Sequence, residues 1–274
     1  MLYYGYKVRT EIEENAIATL QQNNTHTMKP IMSPQLEREC LSAVQQYTQQ
    51  KTWRDWGLTY LRTQGAAILL YGPAGTGKTA IAHYLGSLVK KPIVEISMAD
   101  IGGGKPGDTE RAARHAFEEA NIGKKTVFLD EADSFLYDRT TIVGESKYMI
   151  GVINELLRSI AKHKGLVVIA TNMPDKLDPA LDRRLIAKVH VTRPELPERK
   201  RLWIQKMPAK FPLKLATLQI EELAEIALTG AEIETAIIRE ASMAILDKRQ
   251  PTYISLQQQA HNEYETKYIN TKEI

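Results

Sequence analysis

Between residues 66 and 192, short apolar runs rich in β-branched residues alternate with longer stretches whose apolar positions recur at helical spacing. The pattern predicts strands over 66–71, 92–97, 126–130 and 166–171, with a short one over 187–192. Helices are predicted between them over 78–90, 108–121 and 145–162. Strands apolar at nearly every position, separated by helices, are the pattern of a parallel sheet covered on both faces, because each side of such a strand meets a helix layer. The expected fold class is therefore α/β, a three-layer αβα sandwich. After Pro194 the β-prone runs stop, and helices are predicted over 197–207, 219–228 and 230–248, where Ile233, Ile237, Ala241, Ala244 and Ile245 share a face. That predicts a small helical subdomain after the sheet.

Upstream, Ser33 and Pro34 mark a helix start, and Leu36, Cys40, Val44 and Tyr47 form one apolar face of a helix over about 34–50. The segment before it opens with Tyr3, Tyr4, Tyr6 and Val8 and ends in the polar run 21–27, which reads as a linker. Beyond residue 250 the chain turns polar, leaving one more helix or a disordered tail as readings. The expected organisation is an arm and linker over 1–29, the α/β part over 30–193, a helical lid over 194–250 and a C-terminal tail over 251–274.

Composition changes this picture little. Hydrophobic residues at 43% and charged ones at 25% are ordinary globular values, and a net charge of +3 over 274 residues is too small to announce a nucleic-acid surface. No apolar run is long enough to span a bilayer, and Lys7, Arg9, Glu11, Glu13 and Glu14 deny the N-terminus a signal-peptide core. Cys40 is the single cysteine, which excludes an internal disulfide and a cysteine-based zinc site. The expectation is a cytoplasmic protein without a membrane span.

Residues 72–79, Gly-Pro-Ala-Gly-Thr-Gly-Lys-Thr, fit the phosphate-binding pattern GxxxxGK[ST] and lie between a predicted strand and a predicted helix, the context that pattern requires. Gly72, Gly75 and Gly77 let the backbone curl so that successive N–H groups converge on a phosphate at the positive end of the following helix. Pro73, Ala74, Thr76 and Ala80 complete the loop and the helix start. Lys78 is then placed to reach the β- and γ-phosphate oxygens, and Thr79 to put a hydroxyl on Mg2+. The expected ligands are ATP and Mg2+.

A second requirement is a carboxylate at the end of a neighbouring strand, and 127–131, Val-Phe-Leu-Asp-Glu, supplies it. Four apolar residues set Asp130 at the strand's end, where it can hold the metal shell. Glu131, one residue further, is suited to orient or deprotonate an attacking water.

Residues 130–133 also spell the Asp-Glu-Ala-Asp box of RNA helicases. Such an enzyme needs a second nucleotide-closing domain of roughly 150 residues, whereas 81 helical-looking residues follow residue 193. A small GTPase would need Asn-Lys-x-Asp, and 172–175 read Asn-Met-Pro-Asp. The arginine-rich mobile lid of a nucleotide kinase is also missing from the pattern.

The stretch 167–184 runs from an apolar strand through Thr171-Asn172 to Leu177-Asp178-Pro179-Ala180-Leu181 and then Arg183-Arg184. Together with the phosphate loop and Asp130-Glu131 it resembles the second region of homology of the AAA ATPases, over about 66–248. The resemblance implies that Asn172 is the sensor residue near the γ-phosphate or the water. It also implies that Arg183 and Arg184 are arginine fingers reaching the ATP site of the next subunit, and hence a homo-oligomer, most often a hexameric ring or spiral. Thr229-Gly230-Ala231-Glu232 is similar to the turn that opens the family's lid helix, with Gly230 and Ala231 lying against the adenine or the phosphates.

One departure stands out. Protein-unfolding members place an aromatic residue in the first pore loop, where this chain has Gly102-Gly103-Gly104-Lys105-Pro106. The expected function is Mg2+-dependent ATP hydrolysis used to remodel a protein partner or complex, the client or adaptor being met by the arm, the glycine-rich loop, the tail or a separate protein. Two alternatives remain at this stage: a DNA-associated AAA+ factor of the helicase-loader or transposition-regulator kind, using Lys105 on a nucleic-acid backbone, and a scaffold that binds nucleotide only to assemble.

Overall fold

The computed structural model describes residues 29–58, 66–97, 107–141 and 148–268. The arm up to residue 28 and the glycine-rich loop with Lys105 lie outside the described residues. Helix α1 (Pro34–Thr48) begins where Ser33 Oγ accepts from the Leu36 N–H, with Pro34 in the first turn, and a short α2 (Gln50–Asp55) follows it. Then come β1 (Ala66–Tyr71), α3 (Lys78–Val89), β2 (Ile93–Ile96), α4 (Asp108–Asn121), β3 (Thr126–Leu129), α5 (Tyr148–Lys162), β4 (Leu166–Thr171) and β5 (Leu185–His190).

The strands form one parallel sheet in the order β2-β3-β4-β1-β5. Both faces of the central strands β1, β3 and β4 are buried, and their alternate residues feed different cores. Ala67 and Leu69 of β1, with Val167 and Ile169 of β4, pack under α4 and α5 against Phe117, Ile153 and Leu156. Ile68 and Leu70, with Val168 and Ala170, pack under α1 and α3 against Leu36, Cys40, Ile81 and Leu85. This two-sided burial is why the strands read as unbroken apolar runs. The expected α/β class with a helical lid is what the fold shows.

The last strand begins two residues earlier than its apolar pattern suggested, because the chain leaves the 3-10 turn over Pro179–Arg184 directly into pairing with β1 at Ala67. The bond from Val191 N–H to the Tyr71 carbonyl still prolongs that pairing.

The lid comprises α6 (Leu196–Lys206), α7 (Thr217–Glu225), α8 (Gly230–Leu246) and α9 (Tyr253–Tyr268) around a core of its own centred on Trp203, with Leu223, Ile233, Ile237, Leu256 and Ala260. Where a helix was expected to run to residue 228, α7 ends at Glu225, and Ile226 and Leu228 enter the core as extended chain. The segment expected as a tail from 251 contains α9, whose Leu256 and Ala260 are fully buried and whose Glu263 pairs with Arg239 at 2.9 Å. The lid therefore extends past residue 250. Its final helix presents so few apolar positions, four residues apart, that helical periodicity hardly registers among the glutamines. No helix among the described residues is long and apolar enough to cross a membrane.

Candidate functional site

In a parallel sheet the strands end together, and ligands bind in the crevice beyond their carboxyl ends. Register makes this concrete: Tyr71 of β1 lies opposite Thr171 of β4, and Leu129 of β3 opposite Ile169. Gly72, Asp130 and Asn172, each the next residue or the one after, consequently emerge at one edge of the sheet.

The phosphate loop joins β1 to α3 through three glycines in the left-handed half of backbone space, with φ of 147° at Gly72, 75° at Gly75 and 93° at Gly77. Close approach adds a second reason at two of them. A Cβ on Gly72 would sit 2.2 Å from the Val191 carbonyl oxygen, and one on Gly75 would meet the lid at Thr229 Oγ1 and Ala231. Lys78 opens α3 and is buried; its ammonium donates to the carbonyls of Gly72 at 2.9 Å and Pro73 at 2.7 Å and to Asn172 Oδ1 at 2.6 Å. Burial pulls its pKa below the usual lysine value, a pull opposed by the charges of Asp130 and Asp133. The sensor candidate and the loop lysine, 94 residues apart, thus meet directly.

Thr79 donates its hydroxyl to Asp130 Oδ2 at 2.8 Å. A hydroxyl and a carboxylate side by side are the hard oxygen donors that Mg2+ accepts from protein, the rest of its shell being water and phosphate. Among the described residues there is no cluster of three or more His, Cys, Asp or Glu side chains that would hold a metal without such help. Thr79 and Asp130 fit a nucleotide-bound Mg2+.

Glu131 is exposed and adopts φ 49°, ψ 45°, a left-handed conformation uncommon for a residue with a Cβ. Its own N–H is held by Asp130 Oδ1 at 2.9 Å. Strain of this kind is worth about 1–3 kcal/mol and persists where surrounding structure enforces it. Here it turns the chain sharply after Asp130, and Glu131 lines the cavity beside it.

Sequence reasoning gave Asp133 no role in the site. It accepts from Thr171 Oγ1 at 2.5 Å, and the same Oγ1 accepts from the Met173 N–H at 2.9 Å, so the Asn172 peptide is clamped from both sides. The only signal was its place in the box at 130–133.

These groups line a cavity of about 740 Å³ between sheet and lid. Ala74 to Ala80, Asp130, Glu131, Asn172, Gly230 and Ala231 all contribute to its wall, while Gly72 and Pro73 sit behind Lys78. Ile31, Met32, Arg193 and Leu202 also line it. No motif marks them in the sequence; Arg201 donates to the Met32 carbonyl at 3.1 Å and so ties the entering chain to the lid. Thr229 caps α8 by accepting from Glu232 N–H, and its own N–H donates to the Glu232 carboxylate at 2.8 Å. That reciprocal cap points the positive end of α8 at the cavity.

Arg183 and Arg184 stand apart from the cavity and differ from each other in their surroundings. Arg184 spends its guanidinium on its own chain, donating to the Leu157 carbonyl at 2.6 Å and the Ala180 carbonyl at 2.5 Å. Burial, with Arg139 and Arg183 nearby, pulls its pKa below the usual arginine value. Arg183 is exposed.

Residues 68–193 match the family described as "ATPase family associated with various cellular activities (AAA)". The chain is 34% identical over 191 residues to the Cell division cycle protein 48 homolog of Archaeoglobus fulgidus, a match covering 67% of this chain and 26% of that protein. It is 32% identical over 202 residues to Fidgetin-like protein 1 of Drosophila melanogaster, covering 70% of this chain and 38% of the relative. The chain thus spans well under half the length of these relatives. Among solved structures, the FIGL-1 AAA domain in complex with ADP superimposes with a TM-score of 0.65 at 24% identity, covering 80% of this chain and 79% of the other, a likeness of fold.

Proposed function

The chain belongs to the AAA ATPases, and from that premise we propose that it hydrolyses ATP with Mg2+ in an assembly of its own copies and uses the cycle to remodel a protein partner. The observation that carries the reading is the meeting, at the ends of three adjacent strands, of Lys78 with Asn172 and of Thr79 with Asp130, with Glu131 beside them.

In this reading the loop backbone and Lys78 take the phosphates, Lys78 exchanging its carbonyl partners for phosphate oxygens. Thr79 and Asp130 hold Mg2+, which neutralises phosphate charge when bound. Glu131 would orient a water and accept its proton, and Asn172, held between Thr171 and Met173, would hydrogen-bond the γ-phosphate or that water. Gly230 and Ala231 close over the nucleotide from the lid, with Ile31, Met32 and Leu202 offering apolar contact to a base. Of the two arginines expected as fingers, Arg183 acts on the site of the neighbouring copy, because it is exposed and away from its own cavity; Arg184, bonded to the Leu157 and Ala180 carbonyls, anchors the turn that carries it. A hexameric ring or spiral is the assembly this implies. We place the protein in the cytoplasm, where a free, buried cysteine such as Cys40 is the norm.

Turnover measured against protein concentration tests hydrolysis by an assembly of copies. Specific activity should rise as copies assemble, and Glu131→Gln should retain nucleotide while turnover falls by about 10²–10⁴-fold, the usual worth of a general base. Hydrolysis by Glu131→Gln at the parent rate would show that the water is activated elsewhere.

A further inference from the structure

The turn that carries Arg183 is held by a device lying outside the cavity. Past Glu131, the chain over 136–138 runs antiparallel to 176–178: Asp138 N–H donates to the Lys176 carbonyl and Asp178 N–H to the Leu136 carbonyl, both at 2.8 Å, around the bridge between Tyr137 and Leu177. At the end of that pairing the Arg139 guanidinium grips Asp178 with two bonds, Nε to Oδ2 at 2.5 Å and Nη2 to Oδ1 at 3.1 Å, and its remaining nitrogen reaches Asn154 of α5.

Asp178 is 2% exposed and has a second task, accepting from the Ala180 N–H at 2.8 Å and so capping the 3-10 turn over Pro179–Arg184. Burial alone would raise its carboxyl, but the bonds from Arg139 and the Ala180 N–H hold it below the usual carboxylate range. A buried carboxylate needs its cation. Without Arg139 it must take a proton or turn towards water, and either change loosens the cap at the start of the turn. Arg184 still fastens the other end, to α5 and to Ala180. Arg183 would then stand on a segment pinned at one end instead of two.

We propose that Arg139, through its paired bonds to Asp178, is a positioning residue for Arg183, so that its loss impairs hydrolysis at the neighbouring copy's site and spares its own. The proposal rests on the reading of Arg183 as acting between copies, and adds to it a residue 39 positions upstream of Asp178.

Mixed assemblies separate the two. Glu131→Gln keeps Arg183 but cannot activate water, whereas Arg183→Ala keeps Glu131 but cannot assist a neighbour, so each alone should be nearly inactive and their mixture should recover ATP turnover. Adding Arg139→Gln to the Glu131→Gln donor should cut that recovery on the order of 10- to 100-fold, the effect of misplacing a reacting group by up to an ångström. Adding it instead to the Arg183→Ala acceptor should leave recovery within about twofold of the first mixture, a result that loss of folding or assembly would not produce. Equal losses in both arms, or none in the donor arm, would overturn the proposal. Failure of the first mixture to recover any turnover would overturn the action of Arg183 between copies, and the positioning role with it. Arg139→Lys in the donor keeps the charge without the paired bonds, and should recover only part of what Arg139→Gln loses; full recovery would argue for charge over geometry and against a positioning role.

Discussion

The sheet and the lid line the same cavity and are built on opposite plans. The interiors of the central strands β1, β3 and β4 carry almost nothing but apolar side chains, and polar chemistry gathers beyond the strand ends: Lys78 at the start of α3, Asp130, Asn172. The lid packs a smaller apolar core around Trp203 and buries Glu198, Glu232, Glu240 and Glu263 at its margins, several of them in ion pairs or caps. A sheet covered on both faces is a stiff base, and groups at its edge keep fixed distances to one another. A helical unit with a core of its own can shift as a body against that base. In the proposed cycle, chemistry therefore belongs to the sheet edge, and closure over the nucleotide to the lid.

The largest effect should come from striking the sheet edge. Lys78→Ala is expected to lower ATP turnover by roughly 10²–10³-fold and weaken nucleotide binding, with thermal stability nearly unchanged, as calorimetry and steady-state kinetics would read. A comparable loss from a lid residue distant from the cavity would undo the division of labour.

Striking the lid core should do the reverse. Trp203 is fully buried, and Trp203→Ala should cost about 3–5 kcal/mol, appearing as an early unfolding transition of the lid while the sheet persists. Hydrogen exchange would show the protection of α6 to α9 lost first. A single concerted transition would mean that the two cores do not melt separately.

Gly75 is where the two plans touch. Gly75→Ala places a methyl 2.8 Å from Thr229 Oγ1 at a φ of 75°, and the left-handed strain alone is worth about 1–2 kcal/mol. Nucleotide affinity should fall on the order of tenfold, with the lid held further from the loop in fluorescence or scattering measurements.

Acid should reveal the smallest difference. Burial holds His163, at the C-terminal end of α5, below its usual value of 6.5, with the hydrogen bond to the Lys125 carbonyl opposing that shift. The unfolded chain binds the proton first as pH falls, so this contribution is whole above pH 6.5 and lost as pH drops through the lower folded value. Burial alone would raise Glu240 in the lid, yet bonds from Arg249, Ser255 and the Thr252 N–H hold it below its usual 4.5. Its contribution is whole above pH 4.5 and lost only below. Denaturation followed by pH should weaken the sheet part before the lid, and His163→Gln should flatten the first phase.

Much of the site was legible in the chain because strand ends announce themselves: an apolar run breaks at Gly72, at Asp130 and at Thr171-Asn172, and each break carries its chemistry. Legibility failed where partners are distant or neighbours diverge. Arg183 and Arg184 read as equivalent, yet successive residues of a tight turn point different ways, and one is exposed while the other is tied to Leu157 and Ala180. Arg139 carries no motif that the chain alone displays, and its meaning comes from Asp178. In α9, burial of Leu256 and Ala260 needs the lid to exist before the pattern means anything.

The sequence alone determined the parallel sheet, the phosphate loop and the carboxylates beyond the third strand, because these depend on local periodicity and on residue types whose spacing the backbone enforces. Tertiary structure decided which of two arginines stays available, how the entering chain and lid wall the cavity, and where the lid ends. Those outcomes rest on contacts between residues tens of positions apart, and a side chain's partner there is chosen by packing rather than by its neighbours in the chain.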